Sequence, residues 1–161
     1  MTATRQDLID GLQVVLREGL RVTSAFGPDD WKKPALGGDE EGWTRKQVYS
    51  HLTALAEVTP GLVGSLANLE PGQDGAAGLD IDAFNAQTVA AKAAMSEADL
   101  MAAYKTGFEK LIEFVKAMPE EQLERSGKFG QLEGKVADVM DGVLVLHGVA
   151  HVYGAGGSPL G

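Results

Sequence analysis

Residues 135–153 read KVADVMDGVLVLHGVAHVY, and the rest of the architecture follows from this segment. Its apolar residues recur every three to four positions, which predicts a helix with one inward face. His147 and His151 lie on that face four positions apart, so their rings are one turn apart on the same side of the helix. This spacing allows two imidazoles of one helix to bind one metal ion. The predicted inward face consists of Val136, Met140, Val143, Leu144, His147, Ala150 and His151.

The third and last histidine, His51, lies in a second apolar helix. Thr44 and Gln47 have the spacing of a capping box, which predicts that this helix starts at residue 44. Pro60 is expected to kink the helix rather than end it, because the apolar pattern resumes after it. If this helix adjoins the last one, the three imidazoles meet. The apolar positions of the helix are Val48, Leu52, Leu55, Leu62 and Leu66.

Two further helical regions complete the pattern. The first begins at the N-cap Thr4 and stops before Gly27. The second covers residues 81–118 in two pieces, and Ser96 caps the second piece. Residues 127–132 (GKFGQL) form either a short extended piece or a loop. These four main helices predict an all-α protein, an antiparallel four-helix bundle over residues 1–153, followed by a flexible glycine-rich tail at 154–161.

Composition narrows the function classes. The 161 residues include no cysteine, which excludes a disulfide framework, a thiolate zinc site and a cysteine nucleophile, and fits a reducing cytoplasm. A net charge of −9 disfavours nucleic acid as a partner. The longest aliphatic run, 143–146, is far shorter than the roughly 20 residues of a membrane span, and no secretory signal is evident. We therefore expect a cytoplasmic protein with no nucleic-acid or membrane partner.

Three neutral imidazoles suit zinc, nickel, cobalt or ferrous iron and leave one to three coordination positions open. No fourth protein ligand is evident in the sequence, which favours a reactive site over a closed structural one. The alternative is that the histidines are ordinary hydrogen-bonded core residues. Three imidazoles without partners in an apolar core would cost on the order of several kcal/mol, and a shared metal removes that cost.

The chain resembles the DinB/YfiT-like superfamily of metalloenzymes, which is related to mycothiol-dependent maleylpyruvate isomerase and bacillithiol transferases. The resemblance lies in Trp43-Thr44 at the start of the helix that carries His51, in the segment from His147 to His151, and in Phe84-Asn85 at the start of the third helix. It implies an up-down-down-up four-helix bundle and a homodimer. It also implies a divalent metal ion, zinc or nickel, held by His51, His147 and His151.

Characterised relatives in this superfamily use a low-molecular-weight thiol. The isomerase relatives carry a glutamate where this chain has His147, so the resemblance aligns the chain with a three-histidine branch. Our leading hypothesis is a metal-dependent transferase that delivers the sulfur of a small thiol to an electrophilic substrate. The thiol must come from a cosubstrate, because the chain has no cysteine. The apolar neighbours of the ligands, among them Val48, Leu52, Leu55, Val143 and Leu144, predict a dry pocket floor.

Two alternatives remain at this stage. One is a metal-dependent hydrolase, which normally needs a carboxylate base beside the metal. Asp138, Asp141 and Glu57 are expected to face away from the histidines. The other is a non-catalytic metal-binding or stress-response module. Trp43 is interpreted as a hydrophobic anchor at the start of its helix.

Overall fold

The computed structural model describes residues 2–36, 42–70 and 72–156 of the chain. Within these ranges the bundle consists of four long helices: α1 (Arg5–Ser24), α2 (Arg45–Ala67), α4 (Glu97–Ala117) and α6 (Val136–Gly154). The shorter elements are a 3-10 turn (Asp30–Lys32), α3 (Ile81–Lys92), α5 (Glu120–Glu124), and the strands β1 (Ser126–Phe129) and β2 (Leu132–Lys135).

The long helices begin where local side chains satisfy their free amides. Thr44 accepts a hydrogen bond from the Gln47 amide, and the Gln47 side chain accepts one from the Thr44 amide, which is the predicted capping box. Ser96 caps α4 as expected. Pro60 lies inside α2, which continues to Ala67, so the prediction that Pro60 does not end the helix is confirmed.

Contacts between helix ends establish the up-down-down-up topology. The Arg5 guanidinium at the start of α1 donates to the Val115 carbonyl at the end of α4, 3.0 Å away, so α1 and α4 are antiparallel. Lys46, at the start of α2, donates to the Met95 carbonyl just before α4, 2.7 Å away, so α2 and α4 are parallel. Gly11 of α1 packs against Val145 of α6, and Val15 packs against Gly148, so α1 and α6 are parallel.

The crossover between α2 and α4 explains the parallel pair. Helix α3 returns along α2, and the Lys92 ammonium near its end forms an ion pair with Glu57 of α2 at 2.7 Å. The chain therefore reaches the start of α4 at the same end of the bundle where α2 began. The expectation of an antiparallel bundle, drawn from loop lengths, is wrong for the α2–α4 pair, because a helical crossover separates these two helices.

Helix α6 contains a π-helical segment, Asp141–Leu146, between α-helical segments at Val136–Met140 and His147–Gly154. The wider turn shifts the inward face. Val145 and Gly148 are buried, whereas Ala150 is exposed, so the prediction that Ala150 faces inward is wrong. By length and hydropathy alone α6 could cross a membrane. Its apolar residues pack against α1 and α2.

Residues 126–135 form an antiparallel hairpin in which Phe129 faces Leu132 across a turn at Gly130. Of the two alternatives for residues 127–132, the extended piece is therefore the correct one. The hairpin pairs Ser126 with Lys135, directly before α6. Helix α6 continues to Gly154, and Ala155 beyond it is buried. The remainder of the predicted tail, 157–161, lies outside the described residues.

Candidate metal centre

The three histidines come from the second turn of α2 and the last α-helical segment of α6. The capping box at Thr44 fixes the start of α2, and two turns later His51 lies 5% exposed. His147 is half-buried at the end of the π-helical segment, and His151 is 8% exposed one turn further on. The structure brings the three predicted site residues to one place, where α2 and α6 contact each other.

The distances between the ring nitrogens match those of ligands to one ion. The Nε2 atom of His147 lies 3.1 Å from Nε2 of His51 and 2.9 Å from Nε2 of His151. With metal–nitrogen bonds of about 2.0–2.1 Å, two ligands at angles of roughly 90–110° are about 2.9–3.4 Å apart. One candidate ligand atom from each of the three rings lies within 4.8 Å of the other two. The donor set and its spacing therefore fit a divalent transition metal.

The surroundings of His51 keep its ring neutral. Burial lowers the pKa of His51 to about 3, and the neighbouring His151 and His147 rings act in the same direction. Neutral imidazole is the form that binds metals. The edge of Trp43 approaches the same ring, with centroids 5.4 Å apart. Trp43, interpreted from the sequence as a helix anchor, thus also contacts the candidate centre.

Carboxylates are absent from this ligand cluster within the described residues. Glu57 is exposed and forms its ion pair with Lys92. Asp138 accepts hydrogen bonds from the Ala3 and Lys135 amides at the start of α6. Asp141 begins the π-helical segment, six residues before His147. No general base of the kind expected for hydrolysis therefore emerges among these three acidic residues.

A cavity of about 660 Å³ opens beside the histidines, with His51 and His147 in its wall. Its volume is in the range of small-molecule pockets. Of the expected floor residues, Leu55, Val143 and Leu144 line it. Val48 and Leu52 are instead fully buried in the bundle core, because they point toward the other helices.

The opposite wall comes from the crossover and the hairpin, which the sequence did not identify as site elements. Leu79, Ile81, Phe84, Phe129 and Leu132 line the cavity there. Leu79, Ile81 and Leu132 are exposed apolar side chains, 36–42% accessible. In the sequence, apolar residues near glycines, such as Leu79, Phe129 and Leu132, are the signal for this wall. Of the wall residues, the resemblance indicates only Phe84 and Asn85.

Comparisons with known proteins agree with this architecture. A family model described as the mycothiol maleylpyruvate isomerase N-terminal domain matches residues 12–149. No protein of curated function matches the chain significantly.

Among solved structures, the mycothiol-dependent maleylpyruvate isomerase is 14% identical with a TM-score of 0.75, over 98% of this chain and 64% of that chain. A histidine-to-alanine variant of the isomerase is 13% identical with a TM-score of 0.74, over 98% and 65%. YfiT from Bacillus subtilis, described as a probable metal-dependent hydrolase with an unusual four-helix bundle topology, is 14% identical with a TM-score of 0.65, over 94% and 83%. The chain thus spans just under two thirds of the isomerase, and at these identities the likeness shows the fold.

Proposed function

The chain belongs to the mycothiol maleylpyruvate isomerase N-terminal domain family, and from this premise we propose that it is a metal-dependent transferase that acts with a low-molecular-weight thiol. In this proposal His51, His147 and His151 hold one divalent metal ion, zinc or nickel. The observation that supports it is the convergence of the three rings at a wall of an apolar cavity.

The protein's own residues prepare the site in two ways. Burial of His51 keeps its ring neutral, so a lone pair is available at its ligand nitrogen. Helices α2 and α6 position the three rings close together, and such an arrangement lowers the cost of ordering them around a metal. A bound divalent metal would supply Lewis acidity, which lowers the pKa of a thiol that coordinates it.

The cavity supports the proposed transfer of the thiol sulfur to an electrophilic substrate. Leu55, Val143 and Leu144 hold apolar surface next to His51 and His147, which excludes water from an electrophile bound there. The sulfur has to come from a cosubstrate, because the chain has no cysteine. The name of the isomerase relatives indicates mycothiol as a thiol of the right class for testing.

Hydrolysis is the second candidate, and the fold of the probable metal-dependent hydrolase YfiT favours it. Against it stands the all-histidine composition of the cluster within the described residues, which offers no carboxylate to take a proton from water. A non-catalytic metal-binding role is the third outcome that the experiments below distinguish.

Metal analysis tests the ligand assignment. We expect about one equivalent of zinc or nickel per chain in the purified protein, as for a three-histidine site. The metal content of His51→Ala should be lower by at least about tenfold. Leu146→Ala is the matched control, since Leu146 is exposed and precedes His147 directly. Undiminished metal in His51→Ala would contradict the assignment.

Turnover separates the three functions. We expect consumption of a generic electrophile such as monochlorobimane to require both an added small thiol and bound metal, and to fall to the background rate after chelation. Ester hydrolysis without thiol would favour the hydrolase instead. Full metal occupancy with neither activity would leave the binding role.

A further inference from the structure

The polar groups in the cavity wall differ in whether they remain available to a ligand. The Thr59 hydroxyl donates to the Leu55 carbonyl at 2.6 Å. The Asp74 carboxylate accepts from the amides of Ala76 and Gly130, each at 2.9 Å. Both Asp74 bonds end on Oδ1. The Ser65 hydroxyl donates to the Gly61 carbonyl, and the Gln73 side-chain oxygen accepts from the Glu70 amide. Each of these side chains therefore already has a partner in the protein.

Asn85 is different. It is half-buried, lines the cavity from the first turns of α3, and its side-chain amide makes no hydrogen bond to the part of the chain that the structure describes. An amide at the edge of an apolar pocket gains free energy when a ligand supplies a partner, because burial by the ligand otherwise leaves its donor and acceptor unsatisfied. Asn85 thus offers one polar contact directed to a ligand.

The charge of the wall excludes one class of ligand. Among the described residues, the lining contains no lysine or arginine, and its one formal charge is the Asp74 carboxylate. The two amides that bond to Asp74 hold the pKa of this carboxyl below its usual range, so it stays negative at neutral pH. Apart from a metal ion held by the histidines, which could compensate one carboxylate, a dicarboxylate would lose its hydration here and meet no compensating cation.

We infer that this cavity binds an uncharged, mainly apolar compound that carries one carbonyl or hydroxyl group, that Asn85 is the residue that recognises this group, and that dicarboxylates are rejected. The inference deepens the proposed function, since it names the class of the electrophile. It depends on that function only for the reaction, because binding itself needs the cavity and not the metal. The exposed apolar side chains Leu79, Ile81 and Leu132 at the cavity wall give such a compound an apolar path inward.

Displacement of an uncharged fluorescent probe, N-phenyl-1-naphthylamine, tests the pocket in metal-depleted protein and after addition of zinc. We expect saturable probe binding in both states and at least a tenfold loss in Val143→Phe, which fills the cavity next to His147. Leu146→Phe is the matched control, because it adds the same ring on the exposed side of the same helix. Ile81→Arg, at a position 42% exposed, is the second variant in case Val143→Phe folds poorly, and it should also weaken probe binding at least severalfold.

A matched pair of competitors tests the role of Asn85. We expect 2-acetylnaphthalene to displace the probe from the wild type, and Asn85→Leu to weaken it about three- to tenfold, the range for one hydrogen bond. For 2-ethylnaphthalene, which lacks the carbonyl, Asn85→Leu should cause no loss. In the metal-depleted protein, succinate should not displace the probe at millimolar concentration.

Several outcomes would overturn the inference. These are absent probe binding, equal binding by Val143→Phe and Ile81→Arg, equal losses for both naphthalenes in Asn85→Leu, or displacement by succinate from the metal-depleted protein. None of these readouts uses thiol turnover. A protein that binds as expected but shows no thiol chemistry would contradict the proposed function and leave the pocket assignment in place.

Discussion

At the scale of single residues, His147 is the centre of the candidate site. Its Nε2 atom lies about equally close to those of His51 and His151, at 3.1 and 2.9 Å. A single ring nitrogen carries either one proton or one lone pair, so it cannot form a good hydrogen bond to both neighbours in one tautomer. A cation among the three nitrogens would accept a lone pair from each, and the proposed metal would thus explain how an apolar interface accommodates three imidazoles.

Asp141 at the start of the π-helical segment carries an electrostatic cost. Burial raises the pKa of its carboxyl above 3.8, and the carboxylates of Asp138 and Asp7 add to the effect. Because the folded-state pKa is the higher one, ionisation destabilises the folded protein as pH rises above about 3.8. We therefore expect Asp141→Asn to raise the free energy of unfolding at pH 7 by less than about 1 kcal/mol, because solvent screens the charge. The melting temperature should rise by no more than roughly 2–4 °C.

Thermal melts at pH 7 and pH 3 check this prediction, since the difference between variant and wild type should shrink at pH 3, where the carboxyl is largely protonated in both states. Asp138→Asn is the matched control. Asp138 accepts hydrogen bonds from the Ala3 and Lys135 amides, so its replacement should lower the melting temperature instead. A lower melting temperature for Asp141→Asn at pH 7 would show that its charge is stabilising.

At the scale of elements, the sequence predicts features that depend on neighbouring residues. Thr44 and Gln47 specify a helix start because each needs only the other's amide, and Ser96 acts in the same local way. The inward position of His51 follows from the period of the apolar residues around it. For these reasons the helix starts and the inward position of His51 could be predicted without coordinates. The meeting of the three rings depends on α2 adjoining α6, which the apolar pattern alone does not predict.

The π-helical segment could not be predicted, because its cause is tertiary. Val145 packs against Gly11 of α1, and Gly142 against Leu132 of β2, so α6 must fit two different partners over a few residues. One wide turn changes the register between these contacts and places Ala150 outside. The cavity wall was missed for a similar reason, since its residues come from segments far apart in the sequence.

Helices α1 and α4 pack closely where Gly19 meets Tyr104. A Cβ atom at Gly19 would lie 2.3 Å from the Tyr104 hydroxyl oxygen, and the Tyr104 ring is fully buried. Gly→Ala in a helix normally stabilises by up to about 1 kcal/mol. Here the overlap should dominate, so we expect Gly19→Ala to lower the free energy of unfolding by about 1–3 kcal/mol.

Gly64 provides the opposite case in α2, since a Cβ there would meet nothing within 4 Å. Gly64→Ala should raise the free energy of unfolding, by up to about 1 kcal/mol. Urea denaturation of both variants measures the two values. If Gly19→Ala were as stable as the wild type, the α1–α4 approach at Tyr104 would be looser than the structure shows.

At the scale of the whole molecule, the up-down-down-up topology explains where the cavity lies. A parallel α2–α4 pair requires the chain to return along the bundle, and α3 with its flanking segments makes this return beside α2. The hairpin before α6 closes the same region from the other side. The connection that sets the topology therefore also supplies the outer wall of the candidate binding pocket.

Because the three histidines join α2 to α6, metal binding should stabilise the fold as a whole. At a free zinc concentration one hundred times the dissociation constant, linkage gives about 2.7 kcal/mol, or roughly 5–11 °C in melting temperature for a chain of this size. We expect this shift in the wild type, no shift with magnesium, which prefers oxygen ligands, and none with zinc in His51→Ala or His151→Ala. Differential scanning calorimetry of metal-depleted protein measures it. A zinc shift of the same size in His51→Ala would mean that zinc binds elsewhere, because a site formed by α6 alone cannot resist the separation of α6 from α2.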